Sequence, residues 1–443
     1  MSPAASVPAD RPLPVTAVSD GPTDGRLAVG AVAAWLAALE CLHRSAGVVL
    51  WVALAAVGTA VGLLFAPPFR RRRWVAASAL AAFCVAMVLI PLAGRISHAR
   101  ASPLVALARQ RAAVTLTATV DADPVVLAAK GPGGAPRVAV EANAAAVVAR
   151  GRAVPAEGAV VVLADATAWR ATLPGQRVRV DGTLAPELDG GVLSVTLFAR
   201  SPPQRLAAPP WWQRAAARVR VALRQASAGL PAAERGLLPG LVDGDTSNLD
   251  PVLAERFRLA GLTHLVAVSG TNCSIVVGAV LLVLRRARAR PWLAAVVGAL
   301  VLTMFVVVAR PSPSVLRAAL MAAIALASLA TGRPRSALPA LSAVSLGLLL
   351  WDPTLAASAS FAMSVLATAA LLVIAPGWAQ ALRNHRIPVG VAESIAVAAA
   401  AHVVTAPVVA AISGRVSLVA IPANVLAEPA VAVTTVLGFA AAV

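Results

Sequence analysis

Long apolar runs broken by short polar stretches fill two parts of the chain, and the part between them has a different rhythm. The first group covers about 27–42, 46–66 and 74–93, and the second about 262–284, 291–309, 314–330, 337–351, 355–375, 390–412 and 416–443. About 20 residues of helix cross a hydrocarbon core of about 30 Å, so these runs predict membrane-crossing helices. Three fall in the first group, with 27–42 the shortest, and six or seven in the second. From 104 to 205 the apolar positions alternate in short segments punctuated by Pro and Gly, the rhythm of strands and turns. Val114, Leu116, Ala118 and Val120 alternate with threonines, and Arg177-Val178-Arg179-Val180 puts arginines on one face and valines on the other.

The expected fold class is therefore a polytopic α-helical membrane protein with an inserted small all-β domain. Five or six short strands in about 100 residues suit a barrel, and an OB-like barrel is the natural candidate, although fold alone does not fix function. The expected divisions are a disordered cytosolic tail over 1–26, N-terminal transmembrane helices over 27–103, the β domain over 104–205, amphipathic helices over 206–260, and a transmembrane domain over 261–443. In 206–260, Trp211-Trp212 opens a stretch in which Arg214, Arg218, Arg220 and Arg224 share a helix with Ala, Val and Leu. Such a helix is expected to lie in the membrane interface with its tryptophans at headgroup level. Base stacking by those tryptophans is the other reading.

Composition strengthens the membrane assignment: 59% of the residues are hydrophobic and 13% charged, which excludes an ordinary soluble domain. Charge then orients the chain. The block Arg70–Arg73, the arginines of 285–290, Arg333 with Arg335, and Arg383 with Arg386 fall at alternate turns between spans, as cytoplasmic loops do. The expected location is the plasma membrane, with the N-terminus cytoplasmic and the β domain outside. A net charge of +18 also fits an anionic ligand, but Lys130 is the one lysine, and part of the arginine excess is compositional. Cys41, Cys84 and Cys273 sit in or beside apolar segments without metal or redox spacing. No phosphate-cradling Gly-x-x-x-x-Gly-Lys motif, Gly-x-Ser-x-Gly elbow or histidine cluster is present, so neither nucleotide hydrolysis, a cofactor nor a metal is expected.

The polar cluster Thr263-His264 through Ser269-Gly270-Thr271-Asn272-Cys273-Ser274 interrupts an apolar run. Polar groups at membrane depth need partners, so the cluster predicts either a broken helix beside a water-filled path or close packing through small residues. Arg317 lies in or at the end of an apolar run, where a guanidinium is costly unless paired or wet. Asp352, before Pro353, and Asn424, between Pro422 and Pro429, stand at segment ends or breaks.

Gly244-Asp245-Thr246-Ser247-Asn248-Leu249, Phe257 and Gly261-Leu262-Thr263-His264-Leu265-Val266-Ala267-Val268-Ser269-Gly270 together resemble the signature of the ComEC competence proteins, channels of bacterial DNA uptake. Leu316-Arg317-Ala318-Ala319-Leu320-Met321, Asp352-Pro353 with Ser360-Phe361-Ala362-Met363-Ser364, and Pro407 through Ser417, Pro422, Asn424 and Pro429 agree in order and spacing. The similarity runs from about residue 27 onward and is strongest over 235–430. Asn272 stands where family members often carry a second histidine. Many members also continue into a metallo-β-lactamase-like domain, of which no His-x-His-x-Asp-His is seen here, so no enzyme activity is expected of these residues and a nuclease would lie beyond 443.

The resemblance implies an inner-membrane channel passing single-stranded DNA into the cytosol. His264, Ser269, Gly270, Thr271, Asn272, Arg317 and Asn424 are then the channel-lining candidates, and Arg177 and Arg179 the DNA contacts. Expected partners are single-stranded DNA, membrane lipid, a DNA receptor, a cytosolic ATP-driven translocase and further copies of the chain. Two other classes use the same features: a transporter of a small anionic solute or envelope precursor, and a structural membrane scaffold.

Overall fold

A computed structural model describes residues 25–65, 73–127, 136–186, 194–266, 270–331, 336–415, 417 and 419–442. The expected tail over 1–26 lies almost wholly outside the described residues. Three helices open the chain: α1 (Arg26–Cys41), α2 (Ala46–Phe65) and α3 (Arg73–Ala101). After the β domain and a connecting layer come α10 (Gly270–Arg286), α11 (Pro291–Ala309), α12 (Pro313–Thr331), α13 (Ala337–Trp351), a 3-10 turn (Pro353–Ala357), α14 (Ala359–Val373), α15 (Ala375–Asn384), α16 (Val389–Ser413) and α17 (Ala420–Ala442). Among the described residues six helices are long and apolar enough to span a membrane: α2, α3, α11, α12, α16 and α17. The α14–α15 pair, bent by 43°, makes a seventh. The chain is a multi-pass membrane protein.

Small residues let these helices approach closely, as van der Waals packing requires where lipid removes the hydrophobic drive. Ala34, Ala38 and Ala53 of α1 and α2 meet Leu89 and Leu92 of α3, together with Leu349 and Phe361. A second core joins Cys273, Leu302, Phe305, Val315 and Leu326, with Phe439 packed against it. Helix α12 serves both: Leu316 and Met321 face the first core, and Val315 and Ala318 the second. All three cysteines are buried and unpaired.

Between α3 and the second helical group, α4 (Pro103–Arg109) leads into β1 (Ala113–Val120), β2 (Val125–Leu127), β3 (Arg137–Ala149), β4 (Arg152–Asp165), α5 (Ala166–Trp169), β5 (Arg177–Pro186), β6 (Ser194–Ala199) and β7 (Gln204–Ala207). Five strands close a ring in the order β1-β3-β4-β6-β5-β1. The β4–β6 pair is parallel and the other ring pairs are antiparallel. The β1–β5 seam sets Thr119 opposite Arg177 and Thr117 opposite Arg179. Alternation fills the ring as expected, with Val114, Leu116, Val120, Val178 and Val180 buried inside. Trp169 of α5 is also buried in this core.

Four expectations change. The β domain holds seven strands, two of them outside the ring. Its predicted start at 104 is helical, because the Ser102 side chain accepts from Leu104 N (3.4 Å) and Pro103 takes the first helical position. Residues 353–357 form a 3-10 turn capped by Asp352, so the run expected from 355 becomes helical only at Ala359. Asn424 stands within one continuous helix: Pro422 falls in the first turn of α17, where its missing N–H is harmless, and Pro429 is accommodated inside it.

Candidate functional site

The connecting layer comprises α6 (Trp211–Ala226), α7 (Ala232–Asp243), α8 (Pro251–Leu259) and α9 (Thr263–Val266). A turn follows α8 at Gly261, whose φ of +70° disfavours a side chain and whose missing Cβ would stand 2.5 Å from Ala420 Cβ. This contact brings the polar cluster against α17. His264, exposed, hydrogen-bonds to the Gly261 backbone and the Asn424 side chain, and Asn424 Nδ2 donates to Ala420 O at 2.7 Å. Helix α10 then opens at Gly270. Buried Asn272 donates through Nδ2 to Leu241 O at 2.9 Å, tying α10 to α7. Ser269 lies outside the described residues, as do the surroundings of Gly270 and Thr271.

Arg317 is buried in the second turn of α12. Its Nε donates to Ser364 Oγ at 2.7 Å and its Nη1 lies 3.5 Å from Met321 Sδ, so two stretches far apart in sequence meet at one guanidinium. No carboxylate pairs with it among the described residues. The structure therefore joins His264 to Asn424, Asn272 to α7, and Arg317 to α14, and Arg317 bonds to none of the other candidates.

A charged junction beneath α6 went unpredicted. Arg310, at the end of α11, donates to Asp123 Oδ2 in the β1–β2 loop at 2.9 Å and to Gln213 Oε1. Arg220 lies 3.5 Å from Asp123 Oδ2 and 3.7 Å from Asp245 Oδ1, and donates to Val308 O at 3.3 Å. Arg224 approaches Asp245 Oδ2 at 3.3 Å. Gly244, at φ +78°, ends α7 in the left-handed conformation and turns the chain so that Asp243 Oδ1 accepts from Asp245 N at 3.0 Å. Ser247 donates to Asp245 Oδ1 through N (3.1 Å) and Oγ (2.6 Å).

The two aspartates titrate in opposite directions. Burial pushes Asp243 up to about 6 despite the pull of Arg220. Burial also raises Asp245, but the Ser247 hydrogen bond, Arg220 and Arg224 outweigh it and hold this carboxyl below the usual range. The run 244–249 was visible in the sequence and Arg310 stood beside a Pro-Ser-Pro segment, but nothing there signalled Asp123 as their partner.

On the barrel, Arg177 and Arg179 are exposed and make no ion pair or side-chain hydrogen bond among the described residues. The barrel offers no stacking platform beside them: its aromatic residues are Trp169, buried, and Phe198, half-buried. Helix α6 forms where expected, with Leu223 and Val219 packing on Val242 and Phe439 and with Trp211, Trp212 and Val221 exposed. Among the described residues no group of three or more His, Cys, Asp or Glu is arranged to hold a metal.

Comparison with known proteins now adds a family. Residues 241–443 match the family described as "Competence protein". The ComE operon protein 3 of Bacillus subtilis (strain 168) is 26% identical over 201 residues, which are 45% of this chain and 25% of that relative. The chain thus matches about a quarter of that relative's length. No solved structure matches. The motifs that suggested ComEC lie largely in the matched segment, and residues 241–443 of this chain are similar to the competence proteins.

Proposed function

We propose that this chain takes part in DNA uptake for transformation and conducts a single strand across the plasma membrane into the cytosol. The observation that carries the reading is the match of its C-terminal helical half, residues 241–443, to the competence family. We read the barrel as OB-like, on five strands closed in mixed order, and place it outside the cell as the part that first meets the strand. Orientation draws support from which helix ends share the barrel's side. Arg310 at the end of α11 bonds to Asp123 of the barrel. Arg95, near the end of α3 that leads into the barrel, pairs with Asp352 at 3.1 Å. The basic loop 285–290 lies at the other end of α11, about 28 Å away along 19 residues. That end is then cytoplasmic, and so is the N-terminus if α1, 16 residues long, crosses together with α2 and α3.

In this reading Arg177 and Arg179 attract phosphate without regard to sequence. Arg317 offers a cation within the helical half, and the segment from His264 to Asn272, with Asn424, forms the constriction. A guanidinium in a membrane helix is costly, by about 2.5–3.5 kcal/mol, and is kept where it serves a path. No nucleotide-binding motif is present, so the work of transfer falls to an ATP-driven partner, and no catalytic step is assigned to these residues. A DNA receptor, lipid and further copies of the chain complete the proposed partners.

Internalisation of end-labelled duplex DNA by cells with and without the gene tests this. Surface binding should persist on deletion while nuclease-protected single strands in the cytosol disappear. Equal protected label in both strains would overturn the reading and favour transport of a small anionic solute.

A further inference from the structure

The two faces of α6 differ in a way the proposed function does not use. Its inward arginines, Arg220 and Arg224, are paired with carboxylates. Its outward arginines, Arg214 and Arg218, are exposed and have no side-chain partner among the described residues. They line an open cleft of about 410 Å³ with Val221, Gln225 and, from the barrel, Leu173. At 100° per residue, Trp211, Arg214, Arg218 and Gln225 share one stripe of the helix. Trp211 is 70% exposed and stands edge-on to Trp212 at 5.9 Å.

This cleft adjoins the barrel arginines. Leu173 lies four residues before Arg177, and a Cβ on Gly175 would stand 2.5 Å from Pro210 Cδ, just before α6. Strand β7 pairs Ala207 with Arg177 and leads through Ala208 and Pro209 to Pro210 and Trp211. Arg205 of β7, exposed and likewise without a side-chain partner among the described residues, sits opposite Val178 of β5. An unpaired basic track thus runs from β5 across β7 to the outer stripe of α6, with an exposed indole at the turn.

We infer that the cleft between the barrel and α6 is a second single-strand DNA site, in which Arg214 and Arg218 hold backbone phosphates and Trp211 stacks on a base. The barrel lacks an aromatic platform, and Trp211 supplies one beside it. Unpaired guanidiniums complement a polyanion, and base–aromatic stacking is tolerant of sequence. Val219 and Leu223 of α6 are already buried on Val242 and Phe439, and the stripe left open carries two guanidiniums without side-chain partners among the described residues, which favours a polyanion over insertion into lipid.

The inference rests on the DNA reading above, and its test separates the two. Full-length chain in zwitterionic nanodiscs is titrated with a fluorescent oligothymidine at several salt concentrations. The R214Q/R218Q variant should bind about tenfold more weakly, with a salt slope shallower by about 1.4, two single-strand phosphate contacts' worth. R214K/R218K should retain most of the binding, showing that charge and not folding is at issue. Trp211→Ala should cost about tenfold with the salt slope unchanged. If R177Q/R179Q weakens binding while R214Q/R218Q does not, the cleft assignment fails and the barrel reading stands. If the unaltered chain binds no oligothymidine, both fail. If Trp211 fluorescence, taken as the difference from Trp211→Phe, is quenched by brominated phosphatidylglycerol and not by the oligonucleotide, the face belongs to lipid and the inference is overturned.

Discussion

The junction beneath α6 and the outer wall of the barrel are both rich in arginine and use it in opposite ways. In the junction Arg220, Arg224 and Arg310 are half-buried and meet Asp123 or Asp245 within 3.7 Å. On the wall Arg177 and Arg179 are exposed without carboxylate partners. A guanidinium removed from water needs a fixed counter-charge, whereas one left in water keeps its charge available to a ligand. Net charge therefore says little about binding until each arginine has been matched to its partners. Arg317 breaks the pattern: it is buried like the first group yet has only a hydroxyl and a thioether beside it.

Substitutions can break this contrast, starting with the strongest effect. Asp245→Asn leaves Arg220 and Arg224 without their shared carboxylate and should destabilise the fold by about 3–5 kcal/mol, read as a fall in thermal midpoint of the chain in detergent. Asp243 gives a pH signature. Its carboxyl is raised from 3.8 to about 6, so between those values the folded chain holds a proton that the unfolded chain has lost. Its contribution to stability therefore falls as pH rises through that window and is flat above it, by up to about 3 kcal/mol. Asp243→Asn should remove this slope and raise stability above pH 6. Asp245, with its pKa lowered, works in the other direction: its ion pairs are present at neutral pH and are lost as pH falls below the ordinary carboxylate range.

Smaller effects sharpen the other side. R177Q/R179Q should leave the melt unchanged and weaken oligothymidine binding by about tenfold, with a shallower salt dependence. An unchanged salt slope would remove the barrel arginines from the strand's path. Asp352→Asn, which loses a partly exposed pair with Arg95 but keeps a capping oxygen for Thr354 N, should cost less than about 1 kcal/mol.

The helices and the barrel wall were readable because their signals are local. Val178 and Val180 point inward, and Arg177 and Arg179 outward, from alternation alone. Arg317 was readable as a charge out of place, whereas Asn424 was read at a break between Pro422 and Pro429 and sits inside a continuous helix. The junction was not readable, since its charges come from residues 123, 220, 224, 243, 245 and 310, which only the closed fold brings together. Proline misled at α17, where position within the helix decided its effect, and the Ser102-Pro103 cap was masked by the onset of alternation nearby.

The most direct test of the contrast is Arg317→Met in cells. Methionine removes a buried charge without a carboxylate partner and roughly fills its volume, so the fold should be at least as stable. The expected result is normal expression, normal surface binding of labelled duplex DNA, and loss of nuclease-protected single strands from the cytosol. Wild-type levels of protected label would contradict a role for Arg317 in the strand's path and leave it as a packing residue between α12 and α14.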